Sequence, residues 1–357
     1  MSRQYLGSVG KIDRGIVSVN AYGIYENITF PLMFKVFKPK GTLKENDQYK
    51  TKIELASEII TELIDFGFEI ELVLADSAEC TAAFQLEFNS SWVGSLYGES
   101  SLFVRTLDKY KLPWILAIRS NHGVWMPSSQ KVRGNKRCDP DEVSSSRERA
   151  PRQWCKFQRT FSNQTSEIRY IREIIFGKRS HRTYWEMTTD PETMPENSTS
   201  FVMTNLKATT NQIKKKLGNL YGLRTWVEYG FRQCKQELGW TDYRFTQFSL
   251  IERWWELIMS SYLMVSLNTQ PFLSLQLENK AKKETVNSQA SLSIHPQWNY
   301  KDGWKNVLNN LRLIIQPTLL LWLLSPWLDM FPNISLRLGF HDLIHAVNQL
   351  QPFFSSA

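Results

Sequence analysis

Two acids and a row of cations are the residues of this 357-residue sequence whose types and spacing could do chemistry. Between Tyr221 and Lys235 the chain reads Y-G-L-R-T-W-V-E-Y-G-F-R-Q-C-K, so Arg224, Glu228 and Lys235 follow Tyr221 at offsets of 3, 7 and 14. At about 100° per residue a helix brings these four side chains within roughly 60° of one another, with Arg232 beside them. Leu223, Val227, Phe231, Cys234 and Leu238 form an adjoining apolar stripe on the same turns. That stripe would pin the helix to a sheet and aim the polar stripe at a groove. Glu228 is then an acid framed by cations, although an ordinary solvated face with helical ion pairs shows the same pattern. The other acid is Asp76, which closes the run Ile70-Glu71-Leu72-Val73-Leu74-Ala75-Asp76. A carboxylate just beyond a central strand sits at the sheet edge where ligands and metals are commonly held. Taken alone, it is equally a helix cap or a turn residue.

The elements that must position these residues can be read from periodicity. Alternation over Gly15 to Ile24 and again over Phe30 to Val36 predicts two strands joined by a turn near Glu26-Asn27. Ile53, Ala56, Ile59, Ile60, Leu63 and Ile64 share one face of a helix over 51–66, which Gly67 ends. The buried strand ending at Asp76 follows, and a hairpin, a helix and a buried strand make an α/β core. Residues 101–110 read as a helix and Trp114 to Ile118 as a strand. Strand-like pieces return at Thr183 to Met187 and Ser200 to Leu206, so a β-rich basic insertion is expected to interrupt the core. The expected layout has a first part of the core over 1–110 and the insertion over 111–206. The helix of Glu228 and the rest of the core take 207–270, and a helical C-terminal region 271–357.

Composition narrows the partner. The hydrophobic content of 42% and aromatic content of 13% supply a substantial core. Thirteen Trp suit both core packing and stacking on bases. The net charge of +8 is concentrated, because residues 131–182 hold 14 Lys and Arg against 6 Asp and Glu. Such a block attracts a polyanion, and Lys131, Arg133, Lys136 and Arg137 at its start are candidate DNA contacts. A solvated loop is the other reading of the block. Cys80, Cys138, Cys155 and Cys234 form no C-x-x-C pair, which signals neither a zinc site nor a disulfide framework and fits a reducing cytoplasm. No signal peptide is expected, and the apolar run Leu311 to Leu324 contains Gln316 and Pro317 and is read as a buried helix rather than a membrane span.

The spacing Y-x-x-R-x-x-x-E-x-x-x-x-x-x-K from Tyr221 to Lys235 resembles, at every defined position, the signature of a large group of bacterial insertion-sequence transposases of the Asp-Asp-Glu class. The resemblance continues through Gln236-Glu237-Leu238-Gly239-Trp240 and the helix Ile251 to Leu267. Upstream it takes in Arg3-Gln4-Tyr5-Leu6-Gly7 with Gly10-Lys11, Leu74-Ala75-Asp76-Ser77 and Ile118-Arg119-Ser120-Asn121. It implies an RNase H-like fold in which three carboxylates hold two Mg²⁺ for DNA cleavage and strand transfer. Asp76 then matches the second acid and Glu228 the third, both as metal ligands. Tyr221, Arg224, Arg232 and Lys235 would grip phosphates near the transposon end. The implied partners are transposon-end and target DNA and a possible second copy of the chain, with no membrane.

Two departures from that pattern stand out. The family's first Asp lies in an Asp-Asp-Thr-Gly-like strand well before the Arg-Gln-Tyr segment, with a DNA-end-reading domain further upstream, and here only Met1 and Ser2 precede Arg3. The expectation is a truncated, defective copy, since Asp13, in a turn-like position, is a poor substitute. The second departure is at Asp76, which the family follows almost at once with an aromatic-Gly pair. Here Ala78 to Ser95 intervene before Tyr97-Gly98, and deleting them regenerates A-D-S-L-Y-G-E-S. Segment 78–95 is thus expected as an insertion beside the metal site, a natural surface loop being the alternative. A non-catalytic DNA-binding transposase remnant and a structure-specific nuclease on the same fold are the competing functions.

Overall fold

The computed structural model describes residues 2–6, 11–25, 28–43, 45, 47–75, 84–86, 98, 100–118, 153–160, 165–174, 182–206, 224–272, 295–301 and 303–349. The chain forms two compact units, one of residues 1–25 and 31–254, the other of 26–30 and 255–357.

In the first unit, β1 (Ser2–Leu6) and β2 (Lys11–Gly15) form a small antiparallel pair. Asp13 lies within β2 opposite Gln4, which corrects the turn-like position expected for it. The predicted alternation appears as β3 (Val17–Tyr25) and β4 (Ile28–Phe37), neighbours in a three-stranded sheet. The third member is β6 (Phe84–Leu86), antiparallel to β3 with Val19 opposite Leu86. Part of the segment expected as an insertion is therefore a strand of the sheet, and the rest of 78–95 lies outside the described residues.

Helix α1 (Lys52–Asp65) starts where expected because Thr51 caps it: its hydroxyl accepts from the Glu54 amide while the Glu54 carboxylate accepts from the Thr51 amide. It ends at Gly67, whose φ of +86° suits a residue without Cβ. Strand β5 is shorter than the predicted run, covering only Val73–Ala75. Helix α2 (Ser101–Lys109) and strand β7 (Trp114–Ile118) follow.

Strands β5 and β7 run parallel, with Ala75 beside Leu116. The β-rich stretch does not stand apart from them. Strands β8 (Cys155–Thr160), β9 (Ser166–Ile174), β10 (Thr183–Thr188) and β11 (Ser200–Thr204) continue the same sheet in the order β5-β7-β11-β10-β9-β8. The join is at β11, antiparallel to β7, and Asn205 secures it by accepting from the Trp114 amide and donating to the Leu112 carbonyl, each at 2.9 Å.

All five residues of β7 are buried, as a strand covered on both faces must be. On one face Trp114, Leu116 and Ile118 pack with Val73, Ala75, Phe201 and Met203 against α1 (Ile59, Ile60, Leu63) and α2 (Phe103, Leu107). On the other, Ile115 packs with Leu74, Ile171, Trp185 and Val202. Helix α3 (Arg224–Glu237) and helix α4 (Phe248–Leu267) follow, residues up to 254 belonging to the first unit and those from 255 to the second.

In the second unit, helix α5 (Trp304–Met330) and helix α6 (Ile334–Gln349) form a hairpin. Helix α5 contains the run Leu311 to Leu324, and the expectation of a buried helix fails there. Beyond Ile314 most of its apolar side chains face solvent. By length and composition α5 is apolar and long enough to cross a membrane.

Candidate functional site

Strand β5 delivers the chain to the carboxyl edge of a parallel strand pair at Ala75, and the next residue is Asp76. Asp76 itself lies outside the described residues, as do Tyr221 and the side chains of Arg224 and Glu228. What the structure places is their framework. Helix α3 carries Arg224, Glu228, Arg232 and Lys235 on successive turns. Strand β6 lies against β5 on one side and against α3 on the other, so the strand that ends before Asp76 and the helix of Glu228 border the same short strand.

Of the apolar stripe read from the sequence, Phe231 and Cys234 hold α3 in place. The Phe231 ring meets Tyr22 of β3 at 5.3 Å and Trp240 at 6.0 Å, both edge to face. Trp240 in turn meets Phe34 of β4 at 6.4 Å. Cys234 is fully buried beside Tyr22, and burial pushes its thiol up to about 12. It is a packing residue and not a nucleophile. Arg232 is exposed and Lys235 part-buried.

Gly98, the second member of the aromatic-Gly pair, is the residue whose reason the sequence does not disclose. A Cβ there would lie 2.6 Å from the Ala117 carbonyl oxygen and 3.0 Å from Ile118 Cγ2. The backbone entering α2 thus rests directly on β7, next to β5, and only glycine fits. Ser100 then caps α2 by accepting from the Phe103 amide.

The basic block divides. Lys131, Arg133, Lys136 and Arg137 lie outside the described residues. Several of its other arginines have partners inside the fold. Arg172 reaches Glu186 at 2.9 Å, with Glu186 wholly buried and the guanidinium 4.3 Å over the Trp154 ring. Arg169 pairs with Glu167 at 2.7 Å and Arg182 with Asp108 at 3.2 Å. These three serve the sheet, so counting them as phosphate contacts overstates the block. Among the described residues no three His, Cys, Asp or Glu gather closely enough to hold a metal ion.

A mixed sheet flanked by helices, with an acid following a parallel strand and an acid-bearing helix beside it, is a framework to set against known proteins. Residues 93–264, from just before Gly98 to within α4, match the family described as Transposase DDE domain. The chain is also similar to the probable transposase for insertion sequence element IS701 of Microchaete diplosiphon. The two are 42% identical over 269 residues, which is 75% of this chain and 60% of that protein. The chain thus spans about 60% of the length of the curated relative it matches. The first likeness is to a DDE transposase domain and the second to an insertion-sequence transposase.

Proposed function

We propose that this chain is a DNA transposase of an insertion sequence, in which Asp76 and Glu228 are two carboxylates of a metal-binding triad that cuts and joins DNA. The observation that carries the reading is the matched segment 93–264, which contains α3 with Glu228 and its flanking cations, packed through β6 beside the strand that ends before Asp76. The core is read as RNase H-like, with the β-rich stretch as its elaboration. Tyr221, Arg224, Arg232 and Lys235 grip phosphates of the transposon end, the arginines by their planar forks and Lys235 as a point charge. Lys131, Arg133, Lys136 and Arg137 add sequence-independent attraction to the duplex.

The donor chemistry suits Mg²⁺, which prefers hard carboxylate oxygens, and Asp76 and Glu228 supply them. When bound, the metal polarises the reacting phosphate and activates the attacking oxygen. The chain's own contribution is positional. The aromatic contacts of Phe231 and Trp240 fix α3 on β3 and β4, and the seat of Gly98 on β7 fixes the ground beside β5. The cations on α3 hold the DNA backbone against that edge. Such a protein acts on DNA in the cytoplasm.

Calorimetric titration with Mg²⁺ and plasmid nicking together test the assignment. Asp76→Asn and Glu228→Gln are each expected to lose most of the metal-binding heat and any Mg²⁺-dependent nicking of DNA carrying the element's ends, while still retaining that DNA in a gel-shift assay. Metal binding unchanged in both variants overturns the assignment. DNA retention by the unaltered chain with no metal binding at all favours the non-catalytic remnant.

A further inference from the structure

Strand β3 buries two polar side chains, Asn20 at 1% and Ser18 at 8% exposure. The Asn20 Nδ2 donates to Ser18 Oγ at 2.9 Å, which fixes the plane of the amide. The amide oxygen, Oδ1, finds no donor among the described residues. A buried amide oxygen without a partner is uncommon in folded proteins and costly to the fold. The alternation of β3 shows which way it faces. Val19 and Ala21 belong to the core packed against α1 and α2. Tyr22 lies on the opposite face, where its ring meets Phe231 of α3. A period of two puts Ser18 and Asn20 on that same face.

That face borders the framework of the two acids. In the register of β3 and β6, Asn20 stands opposite Gln85. Strand β6 in turn lies against β5, which ends before Asp76, and against α3. On α3, Glu228 precedes Phe231 by three residues, about one helical turn. The kind of partner follows from the atoms. An ionised carboxylate offers only acceptors, and an amide oxygen is an acceptor too, so none of these groups satisfies another directly. A cation among them satisfies all three. Mg²⁺ takes an octahedral set of hard oxygens at about 2.1 Å, and a side-chain amide oxygen belongs to that class of donor. The Ser18 bond contributes by holding the Asn20 amide with its oxygen turned away from the hydroxyl.

We infer that Asn20 is an oxygen ligand of the Mg²⁺ site, its Oδ1 joining Asp76 and Glu228 in the donor set, with Ser18 positioning the amide. This role rests on the assignment of Asp76 and Glu228 as metal-binding acids. Calorimetric titration of the full chain with Mg²⁺, without DNA, tests it. Asn20→Leu is expected to weaken Mg²⁺ binding at least about 10-fold while keeping the circular dichroism of the parent. Asn20→Asp puts a charged oxygen in the same place and should tighten binding at least about 10-fold. Its buried carboxylate should also lower the thermal midpoint in the absence of metal, and added Mg²⁺ should restore it, which an amide of purely structural role would not allow. Because these variants can fail to fold, the unaltered chain gives an independent reading. With Fe²⁺, ascorbate and peroxide in place of Mg²⁺, the backbone should be cut near residue 20 as well as near 76 and 228. Cuts near 76 and 228 that spare β3 overturn the role of Asn20. So does Mg²⁺ binding that is lost in Asp76→Asn and Glu228→Gln but unaltered in both Asn20 variants, which leaves the two acids in place. Binding unaltered in all four variants overturns the assignment of the acids together with that of Asn20.

Discussion

A Cβ added at Gly98 meets backbone as well as side chain, since the nearest atom is the Ala117 carbonyl oxygen at 2.6 Å. Strand β7 is buried on both faces and cannot yield without disturbing two cores. Gly98→Ala is therefore expected to destabilise the chain by about 1–3 kcal/mol, read as a lower urea midpoint with an unchanged slope. Lys52 gives a prediction in pH. Burial pushes its ammonium down to about 7, against an ordinary value of 10.5 in the unfolded chain, even with the Phe37 ring 4.9 Å away. Between about pH 7 and pH 10.5 the unfolded chain binds more protons at this site, so stability rises with pH across that window. The penalty is full below pH 7. Lys52→Met should raise the thermal midpoint at pH 6 and lose most of that advantage by pH 10. An equal gain at both pH values would show that the lysine is not desolvated.

Among the elements, α3 depends on how it ends. Gly239 sits at φ +74°, and the Trp240 amide reaches back to the Cys234 carbonyl at 3.0 Å, closing the helix and turning Trp240 onto Phe231 and Phe34. A side chain at 239 meets both the left-handed backbone and Asp242 Oδ2 at 2.8 Å. Gly239→Ala should cost about 1–2 kcal/mol. Because Trp240 anchors the helix that carries Arg232 and Lys235, the variant should also weaken binding to a transposon-end duplex. Full stability with full DNA affinity in Gly239→Ala would show that the anchor does not matter. The same element-level view explains the segment between Asp76 and Gly98: with β6 paired to β3 and lying between β5 and α3, part of it is sheet rather than surface loop.

At the scale of the molecule the question is which cations meet DNA. Arg172 pairs with the wholly buried carboxylate of Glu186, and removing one member of a buried ion pair is strongly destabilising. Arg172→Ala is expected to unfold the sheet rather than to change DNA affinity selectively. Neutralising Lys131, Arg133, Lys136 and Arg137 together should instead leave the thermal midpoint in place and flatten the salt dependence. With four phosphate contacts, affinity falls about 100-fold between 50 and 200 mM salt, and most of that dependence should vanish in the quadruple variant. A salt slope unchanged by the four substitutions would assign the block to solvent.

The elements were legible in the sequence wherever the cause is local. A period of two marks β3 and β4, a 3.6-residue period marks α1, and the spacing of Arg224, Glu228, Arg232 and Lys235 needs nothing beyond one helix. From Arg224 to Lys235 the spacing is legible for the same reason, since these residues share a few turns of a single helix. Three features were decided only by tertiary structure. The β-rich stretch reads locally as a separate insertion, yet β11 pairs with β7 and extends the sheet. The arginines of the basic block count equally in composition, but Arg172 and Arg182 are taken by Glu186 on another strand and Asp108 on a helix far away in sequence. The run Leu311 to Leu324 is apolar enough to be called buried, yet beyond Ile314 most of its apolar side chains are exposed among the described residues. Periodicity records which residues can be buried together along one element. Which partner an edge, a charge or an apolar face obtains is set by pairing between distant segments, and that information is not contained in any local window.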